Sequence, residues 1–480
     1  MSQAGRSPRI TVLAMLGLLG LGLLLRLLFL NGEGLWYDEA LTALSLRLPF
    51  REMISERLAA GHSPLYFTIL YPFTRVFGTG EIVVRLPSVF ASTLSIYIFY
   101  LIAKKLVGEG EAAFITTLFY ALAALNIYFA QEARMYAFCV LFAILSFYYL
   151  LIALEGEGWK VWSPYLISTV VLVYLSASTI PVLFAQFAFV LIKRRRIVPF
   201  IITLAAVVAL YLPMGIFYLR MGRLGFIEWL PPINVKTYLE LFYGFGFRPI
   251  PVTSAAGFYS IYLRSAEVLS LLIVFGSVAI GVWYVFTRRG RSSGTATGMS
   301  RDSFLILVIW LFVPLVLLTA YSFVKQPMLG PKRYIYMLAP AFYLLLGYGV
   351  HSVRRHVLRR IITMLVLLLF SVTLIQYYRT PTREDWRGAV QHLDEHYEAG
   401  EVLFGDLSTQ VMYRYYGSDE AKIIMDIRYV SDAGVGQGWV LMRKKGFDRH
   451  GPYFEAMDRH YRITDQGPFY GLQMIHFQVR

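Results

Sequence analysis

Residues 35–45 read LWYDEALTALS and follow closely on an apolar run that begins near residue 10. The stretch sets two adjacent carboxylates, Asp38 and Glu39, at the edge of that run. About 20 apolar residues suffice to cross a bilayer, so the run reads as a membrane helix. Its leader, MSQAGRSPR, resembles the start of a signal peptide, but the run ends in NGEGLWYDEA without a small-residue cleavage site. It therefore reads as a retained helix. Trp36 and Tyr37 are residue types that anchor at the water–lipid boundary. Ionised groups at that depth are costly, which makes the acid pair the feature to explain.

The rest of the chain repeats the apolar signal. The 480 residues are 57% hydrophobic and 16% charged, with a mean hydropathy of +0.56, an excess no soluble core needs. We read about eleven spans, near 10–30, 86–106, 112–130, 135–154, 162–178, 180–192, 198–219, 265–287, 304–324, 334–350 and 361–378. The expected fold class is an all-α polytopic membrane protein (1–378) with a small α/β domain after it (379–480). No internal repeat is visible. The one low-complexity piece, RRGRSSGTATGMSR, reads as a flexible linker.

Charge sets the sides. The net charge is +15, yet the chain from Arg383 onward holds twelve Lys or Arg against fifteen Asp or Glu. The positive excess therefore belongs to the membrane part. There it forms short clusters between apolar runs: Lys104-Lys105, KRRR at 193–196, RRGR at 288–291 and RRHVLRR at 354–360. That is the pattern of cytoplasmic loops and not of a nucleic-acid surface. With a cytoplasmic N-terminus, every cluster falls inside. The loops 31–85, 131–134, 178–179, 220–264 and 325–333 fall outside, with the tail. The localisation expected is the plasma (inner) membrane, with an extracytoplasmic C-terminal domain. Cys139 is the single cysteine, so no intrachain disulfide and no cysteine metal site exist.

The outer loops carry the chemistry. LTALSLRLPFREMISERLAA is amphipathic and suits a helix lying on the membrane surface. His62 in GHSPLYF, Glu132 and Arg134 in QEARMY, and Lys332-Arg333 in GPKRYIY all fall on the same side as Asp38 and Glu39. One acid, several cations and headgroup depth together suit transfer from a lipid phosphate. Arg or Lys neutralises the leaving phosphate, and a carboxylate takes the proton of the attacking hydroxyl. One base is enough, since the phosphate leaves readily. The paired carboxylates of a glycoside hydrolase are not required. Blander readings exist for each residue: Glu39 suits the first turn of a helix, Glu132 and Arg134 suit each other, and Lys332-Arg333 suit interfacial anchoring. Tyr66, Tyr136 and Tyr334 suit the aromatic belt as well as a ligand.

Taken in order, WYDEA, HSPLYF, RLPS, QEARMYA and KRYIYMLAPAF resemble the GT-C glycosyltransferases, in particular the family 39 and 83 type. That group includes protein O-mannosyltransferases, lipid A aminoarabinose transferases and bacterial polyprenyl-phosphate-sugar transferases. The resemblance covers the membrane part and is strongest over 35–140. It implies an inverting transfer of a monosaccharide from a polyprenyl phosphate to a hydroxyl of a cell-envelope glycan, lipid or protein. It implies Asp38 as general base, with Glu39 in support and Glu132 orienting acceptor or sugar. Arg134, Lys332 and Arg333 would hold the donor phosphate, with Tyr66, Tyr136 and Tyr334 around the substrate. His62 stands where lipid A enzymes carry a lysine in a KPPLYY-like stretch, and histidine carries only part of a charge at neutral pH. A divalent cation, Mg²⁺ or Mn²⁺, held by Asp38, Glu39 or Glu132, is left open; no HExxH or cysteine set is present.

Two rival readings remain: a protein O-mannosyltransferase, and a lipid or sugar transporter or flippase. Eukaryotic O-mannosyltransferases carry a large late-loop insert that the 220–264 loop is too short to hold. That loop, with WLPPINVKTYLELFYGFGF, is expected to cover the site as a lid. Transporters place charges at mid-membrane and often show repeats; here the charges sit at the ends of the runs.

Overall fold

The computed structural model describes residues 8–220, 233–246, 300–325, 327–329, 332–398, 400–418, 424–426, 436–444, 461–467 and 469–479, with isolated positions between 272 and 283. Most of the expected span at 265–287, of the 288–301 linker and of the 220–264 loop expected to form a lid lies outside the described residues. Contacts divide the chain into two compact units. The first comprises Met1–Leu28, Ile54–Ile69 and Arg85–Tyr378; the second comprises Phe29–Met53, Leu70–Val84 and Arg379–Arg480.

In chain order the helices are α1 (Pro8–Leu27), α2 (Tyr37–Arg47), α3 (Phe50–Ala59), α4 (Leu65–Phe77), α5 (Glu81–Leu106), α6 (Glu111–Leu122), α7 (Ala124–Ala130), α8 (Tyr136–Glu155), α9 (Ser163–Leu175), α10 (Ile180–Lys193), α11 (Ile197–Arg220) and α12 (Val235–Gly246). The helices Arg301–Val324, Ala339–Ser352 and His356–Arg379 follow. Among the described residues, six helices are long and apolar enough to cross a membrane, or seven if a bent pair is one span. Three shorter apolar helices cover Val12–Leu27, Lys160–Leu175 and Ala177–Lys193. This is an integral membrane protein.

The bent pair corrects one expectation. The single span read at 112–130 is broken at Ala123, whose backbone is extended, and α6 and α7 meet at 57°. The break takes the ordinary helical donor from the Tyr120 carbonyl. The Asn126 side chain replaces it, donating Nδ2–H to Tyr120 O at 2.7 Å. In lipid a freed carbonyl must find such a partner.

The first unit packs through aromatic stacks and close helix approaches. Phe147 lies 3.8 Å from Trp310 and Phe99 4.2 Å from Tyr120, both stacked. At Gly347 any Cβ would overlap the Thr116 side chain, so glycine is what lets Ala339–Ser352 approach α6. Polar residues also join helices: Gln186 donates to Ser146 at 2.7 Å and accepts from the Tyr165 hydroxyl at 2.9 Å. From the 220–264 loop, α12 is docked on spans. Tyr238 donates to Thr319 at 3.2 Å, and the Phe245 carbonyl accepts from the Tyr343 hydroxyl.

The second unit holds a five-stranded sheet in the order β2-β1-β3-β5-β4. Its strands are β1 (Val402–Gly405), β2 (Ile424–Asp426), β3 (Gln437–Arg443), β4 (Tyr461–Gly467) and β5 (Leu472–Val479). β1 pairs in parallel with β2 and β3, whereas β5 is antiparallel to β3 and β4. β1 lies in the segment EVLFG, β3 runs through GWVLMR and β5 through LQMIHFQV. Helices Trp386–His396 and Leu407–Tyr416 start at aspartates that accept the first free N–H groups: Asp385 from Gly388 at 2.9 Å, Asp406 from Thr409 at 3.0 Å. The WYDEA helix, α2, belongs to this unit.

Candidate active site

In the second unit, α2 begins at Tyr37, so Asp38 and Glu39 occupy its first turn, where carboxylates meet the positive end of the helix dipole. The two acids differ sharply. Glu39 is fully buried; its carboxylate accepts from the Trp36 N–H at 3.4 Å and lies 3.7 Å from the buried Arg383 guanidinium. Asp38 is half-buried, and its carbonyl accepts from the Thr42 hydroxyl at 2.9 Å. The helix-capping reading of Glu39 is thus realised, with an ion pair added.

Two further loop acids are engaged in the same unit. Glu33 accepts from the Thr382 N–H and hydroxyl. Glu81 binds Arg387 at 2.8 Å and accepts from the Tyr416 hydroxyl. Burial pushes the Tyr416 phenol up from its ordinary pKa, and its bond to the Glu81 carboxylate adds to the shift, so it stays a neutral donor.

In the first unit, four of the sequence motifs meet at the start of α8. Tyr66 of HSPLYF packs edge-on against Phe138 with ring centres 5.8 Å apart. Ser88 of RLPS donates to the Arg134 carbonyl at 3.2 Å. Phe129 contacts Tyr136 at 5.2 Å and, on its other side, Tyr336 of KRYIY at 4.3 Å. Glu132 and Arg134 lie in the turn between α7 and α8, at 1% and 4% exposure. Buried charges are retained only with compensation, which is why such a turn is a place to look for chemistry.

That turn is held rigidly from behind. Gln131 donates to the carbonyls of Arg26 and Leu28 at 3.0 and 2.7 Å, capping α1, and accepts from the Tyr377 hydroxyl. Ser63, beside His62, donates to the Tyr174 carbonyl. His62 is half-buried, its ring 6.3 Å from Phe67, over which the buried Arg57 guanidinium also sits at 5.4 Å. Arg333 is half-buried, 5.2 Å over the Tyr334 ring. The Lys332 side chain lies outside what the structure describes.

These folds and motifs have counterparts. Residues 61–217 match the family described as dolichyl-phosphate-mannose-protein mannosyltransferase. No curated protein matches the sequence. Among solved structures, ArnT from Cupriavidus metallidurans in its apo state matches with a TM-score of 0.58 at 12% identity, over 96% of this chain and 97% of that one. The same protein bound to undecaprenyl phosphate matches at 0.54 and 11% identity with the same coverage. The fold is that of the GT-C glycosyltransferases. The Archaeoglobus fulgidus oligosaccharyltransferase, in complex with zinc and sulfate, matches at 0.50 and 12% identity over 85% of this chain and 63% of that one. The mycobacterial arabinofuranosyltransferase AftD matches at 0.50 and 11% identity over 100% of this chain and 42% of that one.

Some buried cations went unnoticed in the sequence. Arg26 is fully buried near the end of α1, donating to Ser92 at 2.8 Å and to the Gly22 carbonyl at 2.9 Å. Arg85, in RLPS, is fully buried as well. Arg26 sits inside an apolar run, where a span count records it only as a tolerated exception, and Arg85 falls one residue before the span read at 86–106. Among the described residues no group of three His, Cys, Asp or Glu is placed to hold a metal ion. Asp38, Glu39 and Glu132 belong to no such group.

Proposed function

We propose that the chain is an inverting glycosyltransferase that moves a monosaccharide from a polyprenyl phosphate to a hydroxyl acceptor of the cell envelope at the outer membrane face. The observation that carries the reading is the meeting of four GT-C-like motifs around the buried Glu132–Arg134 turn, in a chain with the GT-C fold. Undecaprenyl phosphate bound to ArnT supports a lipid phosphate as the donor's anchor.

In this reading the Asp38 carboxylate accepts the proton of the acceptor hydroxyl as its oxygen attacks the anomeric carbon. The bond to the phosphate oxygen breaks on the opposite side, so the centre inverts. Arg134, with Lys332 or Arg333, neutralises the departing phosphate. Half-burial suits Asp38 to meet a substrate. Full burial and the Arg383 pair make Glu39 a supporting group. The 1–378 part would be catalytic and the 379–480 part an outer domain, with the N-terminus in the cytoplasm.

The test uses purified wild type and Asp38→Asn with a panel of radiolabelled polyprenyl-phosphate sugars and a membrane extract as acceptor. Transfer of one sugar by wild type, with donor binding but no transfer by Asp38→Asn, is the expected result. Wild-type transfer by Asp38→Asn overturns the assignment of the base. The family match over 61–217 favours one variant of this reading, a mannosyl donor and a protein acceptor. Label appearing in a protease-sensitive product, and not in lipid or glycan, would select it.

A further inference from the structure

The first turn of α2 is gripped by the tail on both sides of Asp38. Tyr37, one residue before, carries the Arg443 guanidinium 5.6 Å from its ring centre. Glu39, one residue after, is buried against Arg383 at 3.7 Å. The two arginines are linked in turn, because Arg443 Nε lies 3.2 Å from Glu384, the neighbour of Arg383. Upstream, Glu33 accepts from Thr382 and from the Arg383 N–H, and Leu35 donates its N–H to Tyr416. These residues all belong to the second unit.

The geometry has a direct consequence. Successive residues of an α-helix are rotated by about 100°, so fixing residues 37 and 39 fixes the direction of residue 38. An exposed ion pair would be screened and loose, whereas this one is buried at both ends. A misplacement of about 1 Å at a reacting group costs on the order of 100-fold in rate.

We propose that Arg383 and Arg443 are positioning residues for Asp38, and that the tail domain serves the reaction by aiming this carboxylate. The inference rests on the reading of Asp38 as the base. The tail thereby acts on the reaction through α2. It holds the helix that carries the acid, through one cation on each flank.

The test compares full-length variants in detergent. Removing Arg383 alone would leave Glu39 buried without its charge partner and risks unfolding. The informative variant is therefore Glu39→Gln/Arg383→Met, which removes both charges and keeps an acceptor for the Trp36 N–H. Arg443→Met is the second variant, and Arg383→Lys the conservative control. The first readout is hydrogen exchange of the amides of residues 37–41, which needs no substrate. The double variant is expected to exchange at least about 10-fold faster there, at an unchanged melting temperature. The second readout is turnover of the undecaprenyl-phosphate sugar selected by the panel. It is expected to show kcat reduced about 30- to 100-fold with donor KM within about 3-fold, and Arg383→Lys in between.

Unchanged exchange, or kcat within about 3-fold of wild type in both the double variant and Arg443→Met, overturns the positioning role. Asp38→Asn separates the two ideas. If it is inactive while those variants are fully active, the base stands and the clamp falls. If Asp38→Asn is fully active, the base assignment itself has failed, whatever the exchange shows.

Discussion

Asp38 and Glu39 are neighbours in sequence with opposite fates. Glu39 turns inward to Arg383 and the Trp36 N–H, while Asp38 stays half-exposed. Replacing Asp38 by Asn keeps the shape and removes the proton acceptor. We expect kcat to fall about 10²- to 10⁴-fold, the usual share of a general base, with donor affinity within about 2-fold. Titrating donor binding alongside single-turnover transfer checks this; a parallel loss of binding would mark Asp38 as a donor contact. The acid pair was legible in the sequence because its neighbours announce a membrane edge. The partner of Glu39 was not, since Arg383 stands at the far end of the chain and only tertiary packing brings it there.

At the scale of elements, apolar runs betray helices but not their breaks. The run at 112–130 is continuous in hydropathy, and the turn at Ala123 is marked only by Asn126, which serves the freed Tyr120 carbonyl. Gln131 plays a similar part for α1. Gln131→Leu leaves the Arg26 and Leu28 carbonyls and the Tyr377 hydroxyl without this partner, at about 1–3 kcal/mol for each buried group left unsatisfied. A melting temperature several degrees below wild type is expected, with no smaller loss for Gln131→Glu, whose carboxylate keeps the acceptor for Tyr377 but faces the two carbonyl oxygens without a donor. Equal melting for Gln131→Leu and wild type would show that the α1 end needs no cap from Gln131.

Gly347 illustrates packing of another kind. Gly347→Ala drives a methyl into Thr116, and overpacking of this sort costs about 1–3 kcal/mol. Thr116→Ala in the same chain is expected to restore part of the lost melting temperature. Failure of any such recovery would place the strain elsewhere. Neither position stands out in the sequence, because a lone glycine or glutamine at a span carries no periodic signal.

At the scale of the whole molecule, the charge pattern predicts an orientation that can be tested without knowing the substrate. Every basic cluster falls on one side only if the N-terminus and the tail lie on opposite faces, which requires an odd number of spans. Six or seven helices pass the test of length and apolarity, and three shorter apolar helices join them among the described residues. Parity therefore depends on which short helices cross. The single cysteine, Cys139, is buried, so a Cys139→Ala background offers a clean probe. In that background Ser431→Cys is expected to react with a membrane-impermeant maleimide on intact cells. Ser2→Cys is expected to react only after permeabilisation. Labelling of both positions in intact cells would make the span number even. It would also strand half of the basic clusters on the outer face and remove the topological ground for placing Asp38 beside an extracytoplasmic donor. Labelling of Ser431→Cys alone would put the tail on the outer face with α2, the helix it clamps.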